Sequence, residues 1–448
     1  MPVLTAAPVS KAPPPRDERA ALVLSSLAFF FILTSYYIIR PVRDQLSGAV
    51  GSSKLPLFYA GTFVAMLLLT PVFGALVSRF SRRRLIGFSY IFFILCLIAF
   101  VPAFMAQAQI GPTVLGVVFF TWASVFNLFV VSLFWSLMAD LFDTAQSHRL
   151  FPLIGVGGSI GALAGPVLTT TLVGMVGVAP LLIVSALMLV AALIILLWLS
   201  QRSGAGRGPA PAIGGSIWAG VKQAFTQPFV RMMAMLMLLS DGVGTVAYAL
   251  LADYSKAHFT DAALRTAFYG RIDTAANLLV ILIQISFTRW ALTRRGAGPC
   301  LVMAEAVNVL LFVLLMVFAL HTLPLPWIDW GAGGLVWVAV PMIALVVIGT
   351  RALAYGVIVP ASNTLYTRAA REARYKGKNF VDTVVWRFGD VVGTSSLSGL
   401  RALGATIPLL AAISGVAAGL AGWVGWRAAR APDLAATETQ ANTATAKS

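Results

Sequence analysis

Tyr36, Arg40 and Arg43 stand at i, i+4 and i+7, so on a helix they form one stripe carrying two guanidinium groups. A guanidinium offers a planar fork of donors that matches carboxylate or phosphate, which suits such a stripe to an anionic group. The competing reading is an interfacial anchor in which Asp44 pairs with Arg40 four residues back. Arg351 and Tyr355 repeat the i, i+4 spacing far along the chain, and Asp241 is the partner that would neutralise Arg351 in a salt bridge. Asn127 and Trp135, eight residues apart, make a hydrogen-bonding and stacking wall on one helix face. The simpler reading of Trp135 is packing or an interfacial belt.

The carboxylates form a second group. Asp273, Asn277 and Gln284 run along one side of a helix that also carries Arg271, and Glu305 stands alone. Asp382, Trp386 and Asp390 follow at i, i+4 and i+8, with Arg387 three residues from Asp390 and able to neutralise it. Asp273, Glu305, Asp382 and Asp390 are therefore candidates for proton or cation coupling, each with a structural alternative as a buried, paired group. Other chemistries find no support. A glycine-rich run at 155–165 lacks the Gly-Lys-Ser/Thr ending of a phosphate loop, and His148, His258 and His321 are scattered. Cys96 and Cys300 make neither a disulfide framework nor a metal set. Neither a cofactor nor an enzymatic activity is expected.

The elements that must position these residues follow from composition. Of 448 residues, 59% are hydrophobic and 11% charged, and the mean hydropathy is +0.88. A soluble domain carries about 25% charged residues, so most of this surface must face lipid. A hydrocarbon core of about 30 Å needs roughly 20 helical residues. Apolar runs of that order occur at 20–39, 56–78, 85–105, 112–138, 151–175, 178–200, 229–252, 266–288, 298–320, 333–362, 379–400 and 404–426. These twelve spans predict an all-α polytopic membrane protein. Its expected parts are a disordered cytoplasmic tail (1–19), a six-helix half (20–200), a cytoplasmic central loop (201–228), a second six-helix half (229–426) and a cytoplasmic tail (427–448).

Charge gives the orientation. With the N-terminus inside, 22 Lys and Arg fall in inside segments and 6 in outside loops; Arg231, Arg271, Arg351 and Arg387 lie within spans. That bias predicts both termini in the cytoplasm, with a bacterial inner membrane as the expected location. It also accounts for the net charge of +16 without nucleic acid as a partner. The expected partners are the lipid bilayer and a small-molecule substrate; the sequence gives no oligomeric state. Gly157, Gly161 and Gly165 form a small-residue stripe that lets another helix approach closely.

Two resemblances sharpen this. Gly74-Ala-Leu-Val-Ser78-Arg79-Phe-Ser81-Arg82-Arg83 resembles the loop signature of the major facilitator superfamily, with Ser78 in place of its Asp and Ser81 in place of its Gly. The likeness implies a gating loop built on Arg79, Arg82 and Arg83. It also implies a cavity lined by helices 1, 4, 7 and 10, which makes Arg351 the foremost site residue. Tyr36-Tyr37-Ile38-Ile39-Arg40-Pro41-Val42-Arg43-Asp44, Arg149-Leu150-Phe151-Pro152-Leu153-Ile154-Gly155 and Tyr375-Lys376-Gly377-Lys378 with Asp382 and Arg387 resemble segments of the ATP/ADP translocase (nucleotide transporter) family. Where that family often continues with Gly-Lys-Ser-Gly-Gly, this chain has Gly389-Asp390-Val391-Val392-Gly393, an anion in place of a cation.

The resemblances imply two halves that rock about a midplane site and an anionic or phosphate-bearing solute such as a nucleotide. The alternatives are a proton-coupled transporter of another small solute and a non-transporting membrane receptor or scaffold.

Overall fold

The structure is a computed structural model and describes residues 15–202, 222, 225–319, 321–329, 334–370 and 373–434. The central loop and both tails fall largely outside these residues. Twelve helices follow the expected spans: α1 (Pro15–Val50), α2 (Leu55–Arg79), α3 (Arg82–Met105), α4 (Pro112–Leu141), α5 (Thr144–Val176), α6 (Ala179–Arg202), α7 (Pro228–His258), α8 (Ala262–Arg295), α9 (Ala297–Val317), α10 (Met342–Arg368), α11 (Trp386–Ala402) and α12 (Ile407–Ala428). Eleven of them are long and apolar enough to cross a membrane. The twelfth, α11, is shorter and carries Arg387 and Asp390, and two π-turns (Ala373–Gly377 and Val381–Val385) lead into it.

The boundaries differ from expectation in two informative places. Helix α1 does not stop near residue 39 but runs on through Arg40, Pro41 and Arg43 to Val50. The basic residues at its end are thus inside a helix, not in an outside loop. The tenth span starts at Met342, because 334–341 form one strand of a hairpin. Strands β1 (Thr322–Asp329) and β2 (Gly334–Pro341) pair antiparallel from Thr322↔Pro341 to Asp329↔Gly334. Apart from this hairpin the described fold is all-α.

One continuous apolar core is built from α1 and α3–α6 and includes Phe126, Phe134, Leu133 and Leu189. Two further clusters lie mainly among α7–α12. The glycine stripe of α5 meets α1, as its spacing requires. A Cβ on Gly157 would lie 2.2 Å from Ser26 O, and one on Gly161 2.3 Å from Phe30 O. The two backbones therefore touch, with no room for a methyl group. Thr34 Oγ1 and Thr169 Oγ1 add hydrogen bonds to Gly161 O and Ile38 O. Helix α5 itself is fixed at its start by a capping box: Asp143 accepts from Gln146 N–H at 2.8 Å, and Gln146 Oε1 accepts from Asp143 N–H at 3.1 Å. This clamped α1–α5 pair carries Arg40 and Arg43.

The contacts that tie α1–α6 to α7–α12 run from mid-depth to the face away from the termini. Asn277 Nδ2 donates to Ala162 O at 2.7 Å in the middle of α8 and α5. Nearer the far face, the Ser47 and Tyr248 hydroxyls are 2.6 Å apart. Beyond them Asp253 accepts from Ser52 N–H (2.7 Å), Ser52 Oγ (2.8 Å) and Arg401 (3.1 Å), and Ser398 Oγ donates to Ser52 O. Gly51 makes the turn there with φ +75°, and a Cβ on it would sit 3.0 Å from Asp253 Oδ1.

Candidate functional site

Helices α1, α8 and α10 bring Arg40, Asp273 and Arg351 together. Arg351 donates to Asp273 Oδ1, and Arg40 Nε stands 3.6 Å from Asp273 Oδ2. That second distance is an ion pair without a hydrogen bond: Arg40 Nε and Asp273 Oδ2 are both buried and have no hydrogen-bond partner. The Asp273 side chain is 2% exposed, against 12% for Arg40 and 13% for Arg351. One carboxylate thus faces two guanidinium groups, and the trio carries one positive charge in excess. Arg40 also lies over the Tyr37 ring at 5.4 Å.

Local backbone explains why these groups converge. Pro41 cannot donate to the preceding turn of α1, and α8 packs at that point. A Cβ on Gly270 would lie 2.7 Å from Thr170 Cγ2 and 3.8 Å from Pro41 Cγ. The absence of a side chain at Gly270 lets α8 lie close against α1 and α5, three residues from Asp273.

The pairings differ from the sequence expectations in three respects. Asp44 pairs not with Arg40 but with Arg43, whose guanidinium lies 2.7 Å from Asp44 Oδ1 and 4.3 Å from the Phe120 ring centroid. The Arg351 partner is Asp273 on α8, not Asp241 on α7. The run Asp382, Trp386, Asp390 is not one regular α-helical stripe, because the π-turn Val381–Val385 inserts a residue between its first two members. Spacing along one helix cannot rank partners on other helices: Arg40 and Arg351 both find theirs on α8, whereas Asp44 is taken by its immediate neighbour.

A second charged group lies between α7 and α11. Arg387 Nη1 donates to Asp390 Oδ2 at 3.2 Å, as its spacing suggests, and Thr245 Oγ1 donates to Asp390 Oδ1 at 3.3 Å. Asp241 Oδ2 is buried without a hydrogen-bond partner, 3.4 Å from where a Gly389 Cβ would stand. Lys378 pairs with Asp382 one turn earlier.

The remaining candidates divide. Tyr355 is 41% exposed one turn from Arg351, and Tyr36 stacks on Phe126 at 6.5 Å. Trp135 is enclosed by Phe29, Phe134 and Phe151, a packing role. Asn127 is half-buried on α4. Glu305 is fully buried in α9 and accepts from Ser240 and Asn308, away from the arginines. Arg79 and Arg83 are exposed at the α2–α3 connection, and the Arg82 side chain lies outside the described residues. The far-face latch of Ser47, Ser52, Tyr248 and Asp253 has no sequence signal, since its members are common polar residues without distinctive spacing.

The sequence matches the Major Facilitator Superfamily over residues 22–394. No curated protein matches it. Several solved structures share the fold. A bacterial homologue of the iron transporter ferroportin, in an inward-facing state, aligns with a TM-score of 0.63 at 15% identity, over 93% of this chain and 100% of that one. The nucleoside transporter NupG aligns at 0.60 and 13% identity, over 92% and 98%. A POT family transporter in complex with a thioalcohol-conjugated peptide aligns at 0.63 and 12% identity, over 90% and 95%.

Proposed function

The chain belongs to the major facilitator superfamily, and from that premise we propose that it is a secondary transporter of a small organic anion. The class includes phosphate-bearing solutes such as nucleotides. The observation that carries the reading is the unequal pair of arginines on Asp273. Arg351 is engaged directly, whereas Arg40 is held only by charge, with its Nε unpaired. An entering carboxylate or phosphate can take the Arg40 fork without first breaking a hydrogen bond to Asp273. Tyr36 and Tyr355 flank this position in sequence, each four residues from its arginine.

The mode of action we infer is alternating access, with both termini cytoplasmic and a bacterial inner membrane as the setting. The bonds around Asp253 support this reading, since they join the two helix sets at one face by a small number of hydrogen bonds that rigid-body rocking would break and remake. The reading assigns no enzymatic step.

The experiment is counterflow. Proteoliposomes loaded with unlabelled ADP are expected to accumulate labelled ADP from outside, with uptake at least tenfold lower for Arg40→Gln. Uptake equal to that of empty liposomes, or unchanged uptake in Arg40→Gln, overturns the nucleotide form of the proposal. Repeating the assay with labelled inorganic phosphate and a dicarboxylate separates a general anion site from a nucleotide site.

A second reading, proton coupling, draws on Asp241 and Asp390, two carboxylates near Arg387, which pairs with Asp390. It requires uptake to rise with an inward proton gradient and that rise to vanish in Asp390→Asn. Gradient-independent uptake removes it.

A further inference from the structure

Helices α8 and α10 are interrupted at facing positions. Helix α8 passes through a π-turn at Gln284–Thr288, and α10 through one at Ala354–Ile358. A π-turn accommodates one extra residue, disturbs the regular i+4 hydrogen-bond ladder and makes a point where a helix bends. Here the side chains of one turn meet the carbonyls of the other. Gln284, the first residue of the α8 turn, donates through Nε2 to Tyr355 O at 3.1 Å. Thr288, the last, donates through Oγ1 to Gly356 O at 2.6 Å. Two consecutive carbonyls of the α10 turn are thus satisfied by the two ends of the α8 turn. Gly356 permits the approach, since a Cβ there would lie 3.0 Å from Ile283 Cγ2.

The position of this pair matters. The α10 turn begins three residues after Arg351 and contains Tyr355. The α8 turn begins eleven residues after Asp273, on the side of the termini. Both helices therefore have a bending point between the charged trio and the terminal face, and hydrogen bonds join the two points. Interhelical hydrogen bonds in membranes are individually weak, so two of them couple two segments without locking them.

We propose that the facing π-turns of α8 and α10 form one coupled hinge. The segments beyond it, Arg289–Arg295 of α8 and Val359–Arg368 of α10, tilt as a unit against the parts that hold Asp273 and Arg351. Tyr355 is a positioning residue within it: its side chain belongs to the turn next to Arg351, and its carbonyl is bound by Gln284. The transporter reading supplies only what such a motion serves.

The test needs no solute, so its failure is separate from a failure of uptake. Spin-label pairs are placed at Thr293→Cys with Asn363→Cys, and at Thr293→Cys with Ser81→Cys. The full chain carries Cys96→Ala and Cys300→Ala and is reconstituted in lipid nanodiscs. The expected result is a broad or two-peaked 293–81 distance distribution with a single narrow 293–363 peak. In Gln284→Leu/Thr288→Val the 293–363 distribution widens at least twofold, and Thr288→Ser restores it. A single narrow 293–81 peak, or an unaltered 293–363 width in the double variant, overturns the hinge. Hydrogen exchange on the unsubstituted protein provides a second measurement should the double variant fail to fold. Residues 289–295 and 359–368 are expected to exchange within twofold of each other and faster than 262–283, and unequal rates for the two segments overturn the coupling.

Discussion

Arg40 stands 3.6 Å from Asp273 without a hydrogen bond between them, while Arg351 bonds the same carboxylate directly. The two arginines therefore differ in what their loss does. Removing one member of a buried ion pair costs roughly 3–5 kcal/mol, because the remaining charge is left uncompensated. Asp273 keeps one arginine in either single variant, so Arg351→Gln is expected near the low end, about 3 kcal/mol. Arg40→Gln breaks no hydrogen bond to Asp273 and is expected to cost less than Arg351→Gln. Thermal melting in detergent reads the order. A larger loss for Arg40→Gln than for Arg351→Gln refutes the assignment of the looser partner.

Asp253 gathers three donors at the far face, two of them from Ser52 across the boundary between helix sets. Each such bond contributes about 0.5–1.5 kcal/mol net. Asp253→Asn loses charge-assisted bonding to Arg401 and Ser52, so the closed far face is expected to lose about tenfold in population, equivalent to about 1.4 kcal/mol. Spin labels at Gln109→Cys and Leu403→Cys, on the connections of opposite helix sets, report this as added population at longer distance. An identical distribution in the variant shows that the latch does not hold the face shut.

The α1–α5 contact sets a sharp contrast between glycines. Gly161→Ala must push a methyl group into the Phe30 carbonyl, 2.3 Å from the ideal Cβ, whereas Gly174 on the same helix has nothing within 4 Å. Gly174→Ala is expected to be neutral or to gain up to about 1 kcal/mol from helix propensity. Gly161→Ala is expected to lose about 1–3 kcal/mol through overpacking. Melting temperature and elution profile decide, and equal behaviour of the two variants would remove the backbone contact as the basis of α1 placement.

Glu305 is buried with Ser240 and Asn308 as donors and no cation within ion-pair distance among the described residues. Glutamine fills the same space, accepts from Ser240 through Oε1 and can donate through Nε2 to the otherwise unpartnered Asn308 Oδ1 once that amide turns over, so Glu305→Gln is expected to stay within about 1 kcal/mol in stability. Glu305→Ala leaves two polar partners unsatisfied around a cavity and is expected to cost about 2–4 kcal/mol. Gradient-driven uptake abolished in Glu305→Gln, with stability intact, would make this residue a coupling carboxylate instead.

The spans themselves were legible because apolar runs of 20 or more residues have little else to form. The α1–α5 clamp was legible too: three glycines at four-residue spacing announce a close helix crossing, although not which helix. The continuation of α1 to Val50 was hidden by Arg40, Pro41 and Arg43, which read as a helix end in isolation. They are tolerated because Asp273 and Asp44 give each cation a carboxylate to face within the protein. For the same reason the Arg351 partner could not be ranked from sequence, since Asp241 and Asp273 are equally acidic and only tertiary packing separates them. The π-turns are a further blind spot, because Gln284–Thr288 and Ala354–Ile358 have no composition that marks an inserted residue.

The pairing of Arg43 with its immediate neighbour Asp44 has an electrical consequence. Carrying one elementary charge across a membrane potential takes about 2.3 kcal/mol per 100 mV, and a fraction of the path takes the same fraction of that work. Arg43 and Asp44 ride on the same helix, so any displacement of α1 moves a plus and a minus together and does almost no work against the field. Arg40 is different, since its countercharge belongs to α8. A motion that separated α1 from α8 would part Arg40 from its countercharge, so the voltage dependence of such a motion is expected to fall on Arg40 and not on the Arg43–Asp44 pair.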